Sequence, residues 1–515
     1  MSKLEYTPVE DIDKIHAELK AGFYSGKLKS IAYRKYQILQ LAYLIKDNAK
    51  RFEEAFASDL GRPPLESNFF EIGACVGEIY NDYKNVEKWA KPEKAPFSFL
   101  WFAMNPTIYK EPKGVVLVIS PFNYPMFLSV LPVSSALAAG NTVVLKPSES
   151  TPATSALFAE LFPKYLDPDL VRVVNGAVPE TTRLLDLPWG HILYTGGGKV
   201  GKIVAAAAAK HLTPVSLELG GKSPVFIDPK CDLKMTARRL LWGKAANAGQ
   251  TCVAPDYLIV PRSFQDTLVK ALKETYDEFY PDGAGAPGAM SRLVTPQAFA
   301  RVSGLLKNTK GTIVVGGEMD EATKFIAPTV IKDVKSDDAL MSEEIFGPLL
   351  PIMPVDSIEE GIAYVNAHDH PLSIYVFSND KNFKDKIFSS TQSGSAHVNE
   401  TIIHPGAEGL PFGGIGPSGS GYHTGKYGFD MFTHLRSSIS SPSWIDYILS
   451  FRFPPYTAAK IARMNKALMP SLPARPKGPP KASSGASWTK WFSFTLALLL
   501  AGGLIKAKQI KSLNA

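Results

Sequence analysis

The segment from residue 114 to residue 219 alternates short apolar runs with helical stretches, and this alternation limits the possible folds more than any other feature of the sequence. Residues 114–120 (GVVLVIS) form an uninterrupted apolar run of strand length, and a helix-length segment follows at 126–139. Such runs are typical of parallel strands that are buried on both faces. The pattern continues with strands at 141–147, 171–175, 191–196 and 214–219 and helices at 151–164, 179–185 and 199–210. Alternating strands and helices predict a parallel, doubly wound sheet.

A second alternation follows residue 220 and predicts a second α/β unit. Strands are expected at 224–227 and 257–261, and helices are expected at 233–248 and 264–279. The 515 residues leave room for more than one core, and 45% hydrophobic with 20% charged residues is an ordinary globular composition. Three cysteines are too few for a disulfide scaffold. The predicted fold class is therefore α/β, with two doubly wound, Rossmann-like domains.

Three segments fit the glycine pattern G-x-G-x-x-G, but only one has the context that binds a dinucleotide. The segments 283–288 and 414–419 do not follow a predicted strand, so loops are expected there. Gly196, Gly198 and Gly201 follow a predicted strand and open a predicted helix, where a pyrophosphate can meet the helix N-terminus. A Rossmann interpretation then places the acid about 20 residues further on, Glu218, at the ribose.

Cys252 is the candidate nucleophile. It lies past the end of a predicted helix in the segment NAGQTCVAP, whose small residues leave the thiol open to a ligand. A free thiol with a pKa of about 8.5 is only a few per cent thiolate at neutral pH, so a catalytic thiol needs local activation. The alternative is a buried structural cysteine, which is the interpretation that we adopt for Cys75 and Cys231.

The segment 247–255 resembles the nucleophile segment of the aldehyde dehydrogenase superfamily, and the Ala-Pro-Asp-Tyr that follows Val253 is similar to its class 3 branch. The likeness runs from about residue 5 to about residue 436. Five further segments agree with family motifs in order along the chain: 121–125 (PFNYP), 145–149 (LKPSE), 217–222 (LELGGK), 343–348 (EEIFGP), and 410–414 (LPFGG) with 418–419. Six ordered motifs over this length make a chance resemblance negligible.

The resemblance implies three catalytic residues. Cys252 attacks an aldehyde carbonyl to give a thiohemiacetal, and the side chain of Asn123 with the backbone N–H of Cys252 stabilises the oxyanion. Hydride transfer to the nicotinamide leaves a thioester. Water activated by Glu218 hydrolyses it, so the pKa of Glu218 is expected to be raised toward neutrality. This role competes with the ribose role of Glu218. For Asn123, the alternative is an Asx turn that shapes the loop before Pro125.

The resemblance also implies the cofactor, NAD or NADP. The family usually has a polar residue where this chain has Gly197, and this departure leaves the choice between NAD and NADP open. For Lys146 the alternative is a solvated lysine before a turn. No metal site is predicted, because His368 and His370 are one residue apart beside a proline, which indicates a surface turn. The residues expected to hold the cofactor are Lys146 and Glu149 at the adenosine ribose, Gly196 and Gly201 at the pyrophosphate, Glu344 at the nicotinamide ribose and Phe346 against the ring.

The same likeness divides the chain into domains. Residues 1–95 and 108–218 are the predicted NAD(P)-binding domain, and residues 219–395 are the catalytic domain with the nucleophilic cysteine. Residues 96–107 and 396–436 form a small β bridging or oligomerisation extension. The C-terminal part is divided into a gatekeeper or interfacial helix region at 437–469, a basic, Pro-rich linker at 470–487, a transmembrane helix at 488–505 and a short basic tail at 506–515.

Charge and hydropathy set the C-terminus apart from the body. Eleven of the 56 Lys and Arg residues follow Asp446, the last acid, so the body has 45 basic against 49 acidic residues. A slightly acidic body argues against a nucleic-acid partner. Residues 491–505 (WFSFTLALLLAGGLI) carry no charge, and counting from Trp488 gives the length of a short membrane span. A buried helix is the alternative interpretation of this segment.

These observations predict a membrane-anchored enzyme that oxidises medium- to long-chain fatty aldehydes, with aromatic aldehydes as a second substrate class. The anchor is C-terminal and the catalytic body is expected in the cytosol, at the mitochondrial outer membrane, the endoplasmic reticulum or a lipid droplet. A homodimer is implied by resemblance alone. Two alternatives are an enzyme that passes the thioester to coenzyme A and a tethered scaffold without activity. Glu218 weighs against the former, because coenzyme A needs no water-activating base.

Overall fold

The computed structural model of the protein describes residues 4–476 and residue 478. The chain divides into two units, up to Ser440 and from Ser441, and each is described by itself. The predicted membrane helix at 488–505, the basic tail at 506–515 and most of the linker at 470–487 lie outside the described residues. Among the helices that are described, none is both long and apolar enough to cross a bilayer.

The first sheet has six strands, of which five are parallel. Val115–Ile119 lies between Thr142–Lys146, the next strand in sequence, and His191–Thr195. The strand order therefore reverses beside Val115–Ile119, and in doubly wound sheets ligands bind at the carboxyl ends of the strands at such a reversal. The order across the sheet is Gly419–Ser420, Val215–Glu218, His191–Thr195, Val115–Ile119, Thr142–Lys146 and Val171–Val173.

The second sheet has seven strands, and only its first edge strand, Thr312–Val315, runs antiparallel to its neighbour. The order across this sheet is Thr312–Val315, Thr329–Lys332, Leu349–Val355, Tyr257–Pro261, Pro224–Ile227, Ser373–Phe377 and Ser395–Val398. Two Rossmann-like sheets therefore confirm the predicted α/β fold class.

The central strands are buried on both faces, as their continuous apolar runs predict. Every residue of Val115–Ile119 is buried. Val116 and Val118 pack into one hydrophobic core, whereas Leu117 and Ile119 pack into another on the opposite face. The described α-helices of the first unit, in chain order, are Ile12–Tyr24, Ile31–Asp47, Ala49–Leu60, Pro64–Ser67, Gly73–Trp89, Phe127–Ala139, Pro152–Tyr165, Val178–Leu185, Gly198–Ala209, Leu233–Ala245, Gln265–Phe279, Pro296–Asn308, Ile358–Asn366, Lys381–Ser390 and Gly425–Met431.

A small antiparallel sheet, Glu93–Lys94 with Thr107–Pro112 and Thr433–Ser438, lies apart from the two large ones. It confirms that a minor β extension accompanies the Rossmann-like sheets, and a two-stranded ribbon is formed by Met319–Asp320 and Phe325–Ile326. The exact domain boundaries stay a prediction.

The helix predicted at 233–248 is too long. It spans Leu233–Ala245, and the next residues form a short turn, Ala246–Gly249, in which Asn247 and Ala248 adopt left-handed backbone angles. Both glycine segments predicted as loops, 283–288 and 414–419, are indeed outside long elements, and the third opens the helix Gly198–Ala209 as predicted.

The second unit, as far as it is described, contains two short α-helices, Ile445–Leu449 and Ala458–Leu468, with a 3-10 turn at Ser450–Arg452. Thr457 caps the longer helix by accepting a hydrogen bond from the backbone N–H of Lys460 at 3.4 Å. None of the eleven residues of this helix is buried. Its exposed apolar residues Ile461, Met464 and Leu468 recur at helical spacing and so share one face.

Candidate active site

Two cavities meet at the carboxyl ends of the strands of the first sheet. The apolar cavity has a volume of about 430 Å³, and the strand-end cleft has a volume of about 570 Å³. Cys252 and Glu218 line both of them, so the thiol and the carboxylate stand at the junction. Most other side chains of the apolar cavity are aromatic or aliphatic, among them Phe69, Phe70, Tyr124, Phe127, Leu128, Ile402 and Phe412.

The left-handed turn at Asn247 and Ala248 directs the chain to this junction. Their φ angles are 50° and 54°, which are unusual for residues other than glycine. The Asn247 amide stabilises the turn, because its Nδ2 donates to the carbonyl oxygens of Gln250 at 3.0 Å and Asn123 at 2.8 Å. The loop that carries Cys252 is thereby tied to the loop that carries Asn123.

The Cys252 thiol is held in its protonated form by its surroundings. Burial raises its pKa to about 12, and the nearby carboxylates of Glu344 and Glu218 act in the same direction. Backbone N–H groups of Cys252 and Val253 donate to the sulfur and oppose the shift. A positive charge brought into the junction would favour the thiolate.

Glu218 is the last residue of its strand, and its side chain is almost fully buried. Neither carboxylate oxygen has a hydrogen-bond partner among the described residues. Burial raises the pKa of Glu218 well above its usual value, as the sequence predicts for a general base. A buried carboxylate without a protein partner is available to hold a water molecule or substrate at the junction.

Asn123 is buried and lines the strand-end cleft together with Cys252. Its backbone carbonyl accepts a hydrogen bond from Arg62 Nη2 at 2.5 Å. The Arg62 guanidinium also donates to Asn247 Oδ1 at 2.7 Å and is paired with the buried carboxylate of Glu71. Arg62 thus holds the asparagine loop and the cysteine loop together.

Arg62 and Glu71 are functional residues that were not predicted from the sequence. They belong to none of the family motifs, and nothing in their local sequence separates them from the exposed charges around them. Their side chains are fully buried, and Glu71 also accepts the backbone N–H groups of Met126 and Phe127 at 3.0 Å and 2.7 Å, at the start of the helix after the asparagine loop. Only the folded chain shows this pairing.

The strand-end cleft collects most of the residues predicted to bind the cofactor. Lys146 ends a strand, and its Nζ lies 2.8 Å from Glu149 Oε2. Burial raises the pKa of Glu344 to about 8, and the phenyl ring of Phe346 contacts Phe122 edge to face at 5.9 Å. The predicted residues that line this cleft are Lys146, Glu149, Gly196, Glu344 and Phe346, together with Asn123, Glu218 and Cys252.

Gly201 is not among the residues that line the cleft, and its helix packs closely there, so its predicted place at the pyrophosphate stays a prediction. A Cβ at this position would lie 2.9 Å from Leu219 Cδ2, because the helix Gly198–Ala209 packs closely against the end of the strand beside it. Its neighbours Gly197 and Val200 line the cleft instead. The glycine pattern therefore marks the correct turn, but only its first part faces the cleft.

The cleft fits a dinucleotide. The helix Gly198–Ala209 opens onto it, and the first N–H groups of a helix bind phosphate. A Cβ at Gly197 or Gly198 would have no atom of the described chain within 4 Å, so the space in front of the helix start is free. The cleft also has groups suited to two ribose rings. The ammonium of Lys146 and the carboxylate of Glu149 can bind the hydroxyls of one ribose, and the carboxylate of Glu344 can bind those of the other. In the described part of the chain, no cluster of His, Cys, Asp or Glu could hold a metal ion.

Comparisons with known proteins agree with this site. The model of the Aldehyde dehydrogenase family matches residues 1–438. Aldehyde dehydrogenase family 3 member A2 of Mus musculus is 42% identical over 444 residues, which cover 86% of this chain and 91% of the mouse protein. The Rattus norvegicus protein named aldehyde dehydrogenase, dimeric NADP-preferring is 43% identical over 444 residues, covering 86% of this chain and 97% of the rat protein.

A solved structure supports the fold and the family. The substrate-bound state of Staphylococcus aureus AldH is 38% identical in sequence and superposes with a TM-score of 0.86. The superposition covers 88% of this chain and 99% of the Staphylococcus aureus chain. The family model spans nearly all of the first unit, including the residues of both cavities. The chain therefore belongs to the aldehyde dehydrogenase family, in its class 3 branch.

Proposed function

We propose that this aldehyde dehydrogenase oxidises medium- to long-chain fatty aldehydes to carboxylic acids with NAD or NADP. The observation that carries the proposal is the apolar cavity, which ends at Cys252 and Glu218 and is lined mostly by apolar side chains. An alkyl chain that enters such a cavity contributes about 0.8 kcal/mol per buried methylene. Aromatic aldehydes fit the same lining as a second substrate class.

Cys252 is the proposed nucleophile. Its thiol loses a proton to solvent, the resulting thiolate attacks the aldehyde carbon, and the carbonyl oxygen becomes an oxyanion that the side chain of Asn123 and the backbone N–H of Cys252 stabilise. Arg62 and Asn247 support this step by fixing the Asn123 carbonyl. NAD or NADP in the strand-end cleft would supply the hydride acceptor needed to oxidise the thiohemiacetal to a thioester.

Glu218 is the proposed base for hydrolysis of that thioester. Its carboxylate takes a proton from water, the hydroxide attacks the acyl carbon, and the Cys252 thiolate leaves. The burial of a carboxylate without a protein partner supports this role over the ribose role, because Glu344 and Glu149 already supply carboxylates to the cleft. The cofactor residues in this proposal are Lys146, Glu149, Gly196, Glu344 and Phe346.

An assay with two aldehydes and two acceptors tests the function. With NAD or NADP, octanal should be oxidised with a kcat/KM at least about a hundredfold above that of acetaldehyde, because six further methylenes are buried. The product should be free octanoic acid, and added coenzyme A should not change it. Formation of octanoyl-coenzyme A, or equal kcat/KM for the two aldehydes, would contradict the proposal.

The proposal extends to the quaternary structure and the membrane. One of the relatives is named as dimeric, which supports a homodimer.

The described helix Ala458–Leu468 has the apolar face described above, and Lys460, Arg463 and Lys466 lie on the same helix. An amphipathic, basic helix suits an anionic lipid surface. We therefore place the body in the cytosol, anchored C-terminally to the mitochondrial outer membrane, the endoplasmic reticulum or a lipid droplet.

Removal of residues 488–515 tests the anchor. The truncated enzyme should leave the membrane fraction and should oxidise vesicle-borne hexadecanal at least about fivefold more slowly than the full chain, since long-chain aldehydes concentrate in lipid. Acetaldehyde in solution and hexadecanal in detergent are the matched controls, and both enzymes should oxidise them equally fast. Equal rates on vesicles, or a truncated enzyme that stays on membranes, would refute the link between anchor and substrate.

A further inference from the structure

The loop 339–346 carries two side chains of the strand-end cleft, Glu344 and Phe346, but it has little regular structure to hold them. It consists of a single 3-10 turn, Ala339–Met341, followed by irregular backbone. Phe346 has a left-handed φ of 43°, which a bulky residue adopts only when its surroundings enforce it. The position of Glu344 must therefore be fixed from outside the loop.

Three charged side chains supply this support, and we name Lys222, Asp256 and Arg301 the loop clamp. Lys222 Nζ donates to the carbonyl oxygens of Leu340 at 2.8 Å and Glu343 at 2.9 Å, and it is paired with the carboxylate of Asp256. An ammonium group has three protons, so all three find acceptors. Two of them hold the loop, and the third ties the lysine to a buried carboxylate.

Asp256 and Arg301 bind other backbone groups of the same loop. The second carboxylate oxygen of Asp256 accepts the backbone N–H of Ile345 at 2.9 Å. Arg301 donates to the carbonyl oxygens of Glu344 at 3.2 Å and Ile345 at 2.7 Å. The backbone on both sides of the Glu344 side chain is thus fixed by charge-assisted hydrogen bonds, which are stronger than neutral ones.

The clamp also connects Glu344 with the proposed base. Lys222 lies four residues after Glu218 in the same segment, and Glu344 accepts the backbone N–H of Gly221 from that segment. A Cβ at Gly220 would lie 2.3 Å from Glu344 Oε2, so the carboxylate packs directly on this backbone. The segment of Glu218 is therefore joined to the Glu344 carboxylate directly through Gly221 and to the backbone carbonyl of the preceding residue, Glu343, through Lys222.

We propose that Lys222, Asp256 and Arg301 are positioning residues that set the affinity of the enzyme for NAD or NADP by fixing the carboxylate of Glu344. The inference rests on the proposed cofactor role of Glu344. None of the three clamp residues lines either cavity, so they act through the loop and not by contact with a ligand.

Lys222→Met tests the clamp, because methionine keeps an unbranched apolar stem and removes all three donors. The dissociation constant and the KM for the cofactor should rise at least about tenfold. The KM for octanal and the rate at which iodoacetamide alkylates Cys252 should stay within about twofold of the parent. Amide hydrogen exchange at Ile345 should accelerate. Lys332→Met is the matched control, because Lys332 ends a strand of the second sheet, has a salt bridge to Asp266 at 2.9 Å and lines neither cavity.

Arg301→Met keeps the test decisive if Lys222→Met does not fold. Its guanidinium is about one-third exposed, so its removal does not leave a buried charge, and it should show the same selective rise for the cofactor. The proposal fails if the folded variant binds the cofactor within about twofold of the parent, or if the KM values for octanal and cofactor rise equally. The parent enzyme can also turn out to bind the cofactor without oxidising aldehydes. If the clamp variants then still bind the cofactor more weakly than the parent, the proposed function is refuted and the role of the clamp is not.

Discussion

Cys252→Ser should abolish dehydrogenase activity, with a loss of kcat of at least about a thousandfold, while cofactor binding stays close to that of the parent. A serine hydroxyl is much less acidic than a thiol, and none of the described residues that line both cavities carries a positive charge that could stabilise an alkoxide. The surroundings already raise the pKa of the thiol to about 12, so an alcohol at this position would stay protonated. The measurement is steady-state turnover with octanal, beside a titration of the cofactor.

Cys231→Ser is the matched control for this variant. Cys231 is half-buried and precedes the helix Leu233–Ala245, and it lines neither cavity. Its replacement by serine makes the same chemical change away from the junction and should leave kcat within about twofold of the parent. Turnover of Cys252→Ser within tenfold of the parent, with Cys231→Ser unchanged, would remove Cys252 from the mechanism.

The raised pKa of Cys252 also gives an expectation for pH. The thiolate is the nucleophile, so the rate of alkylation by iodoacetamide should increase with pH throughout the neutral range and should not level off below pH 9 in the absence of cofactor. Addition of NAD or NADP, whose oxidised ring is cationic, should increase this rate at a fixed pH. The two effects have the same cause, which is the stability of the thiolate relative to the thiol.

The regular elements of the fold could be predicted because their signal is local. The strand predicted at 191–196 is His191–Thr195, and the helix predicted at 199–210 is Gly198–Ala209. Apolar runs and helix boundaries are set by residues a few positions apart, so one sequence is enough to place them. The helix predicted at 233–248 failed at its end, because Asn247 is held in a left-handed turn by the distant carbonyl of Asn123.

The site could be predicted only as far as it consists of motifs. Cys252, Glu218 and Asn123 lie in recognisable segments, and the structure brings them to adjoining cavity walls. The roles of Arg62 and of the loop clamp could not be predicted, because their hydrogen bonds reach distant segments: Arg62 bonds to Asn123 and Asn247, and Lys222 bonds to the loop 339–346. Gly201 fits the pattern but packs against Leu219, since a glycine motif does not say which of its members faces the cleft.

Glu218→Gln should allow one turnover and then stop. In the proposed mechanism, acylation and hydride transfer do not use the carboxylate, so a burst of about one NADH per active site should appear, followed by a steady rate at least about a hundredfold below that of the parent. Glutamine keeps the shape of the side chain but cannot take a proton from water. In the parent, the raised pKa of Glu218 means that the steady rate should rise with pH until the carboxyl is ionised and then become constant.

Stability measurements distinguish this catalytic effect from damage to the fold. The folded-state pKa of Glu218 lies above that of the unfolded chain, so this group contributes stability below the unfolded pKa, and the contribution is lost as the pH rises toward the folded pKa. Glutamine does not ionise, so the Glu218→Gln enzyme does not lose stability in this way as the pH rises. Its Tm at pH 8 should therefore equal or exceed that of the parent. Glu149→Gln in the strand-end cleft is the matched control, because it should weaken cofactor binding without producing a burst. A Glu218→Gln enzyme that shows neither a burst nor steady turnover, but whose cofactor dissociation constant rises as in Glu149→Gln, would assign Glu218 to the ribose instead.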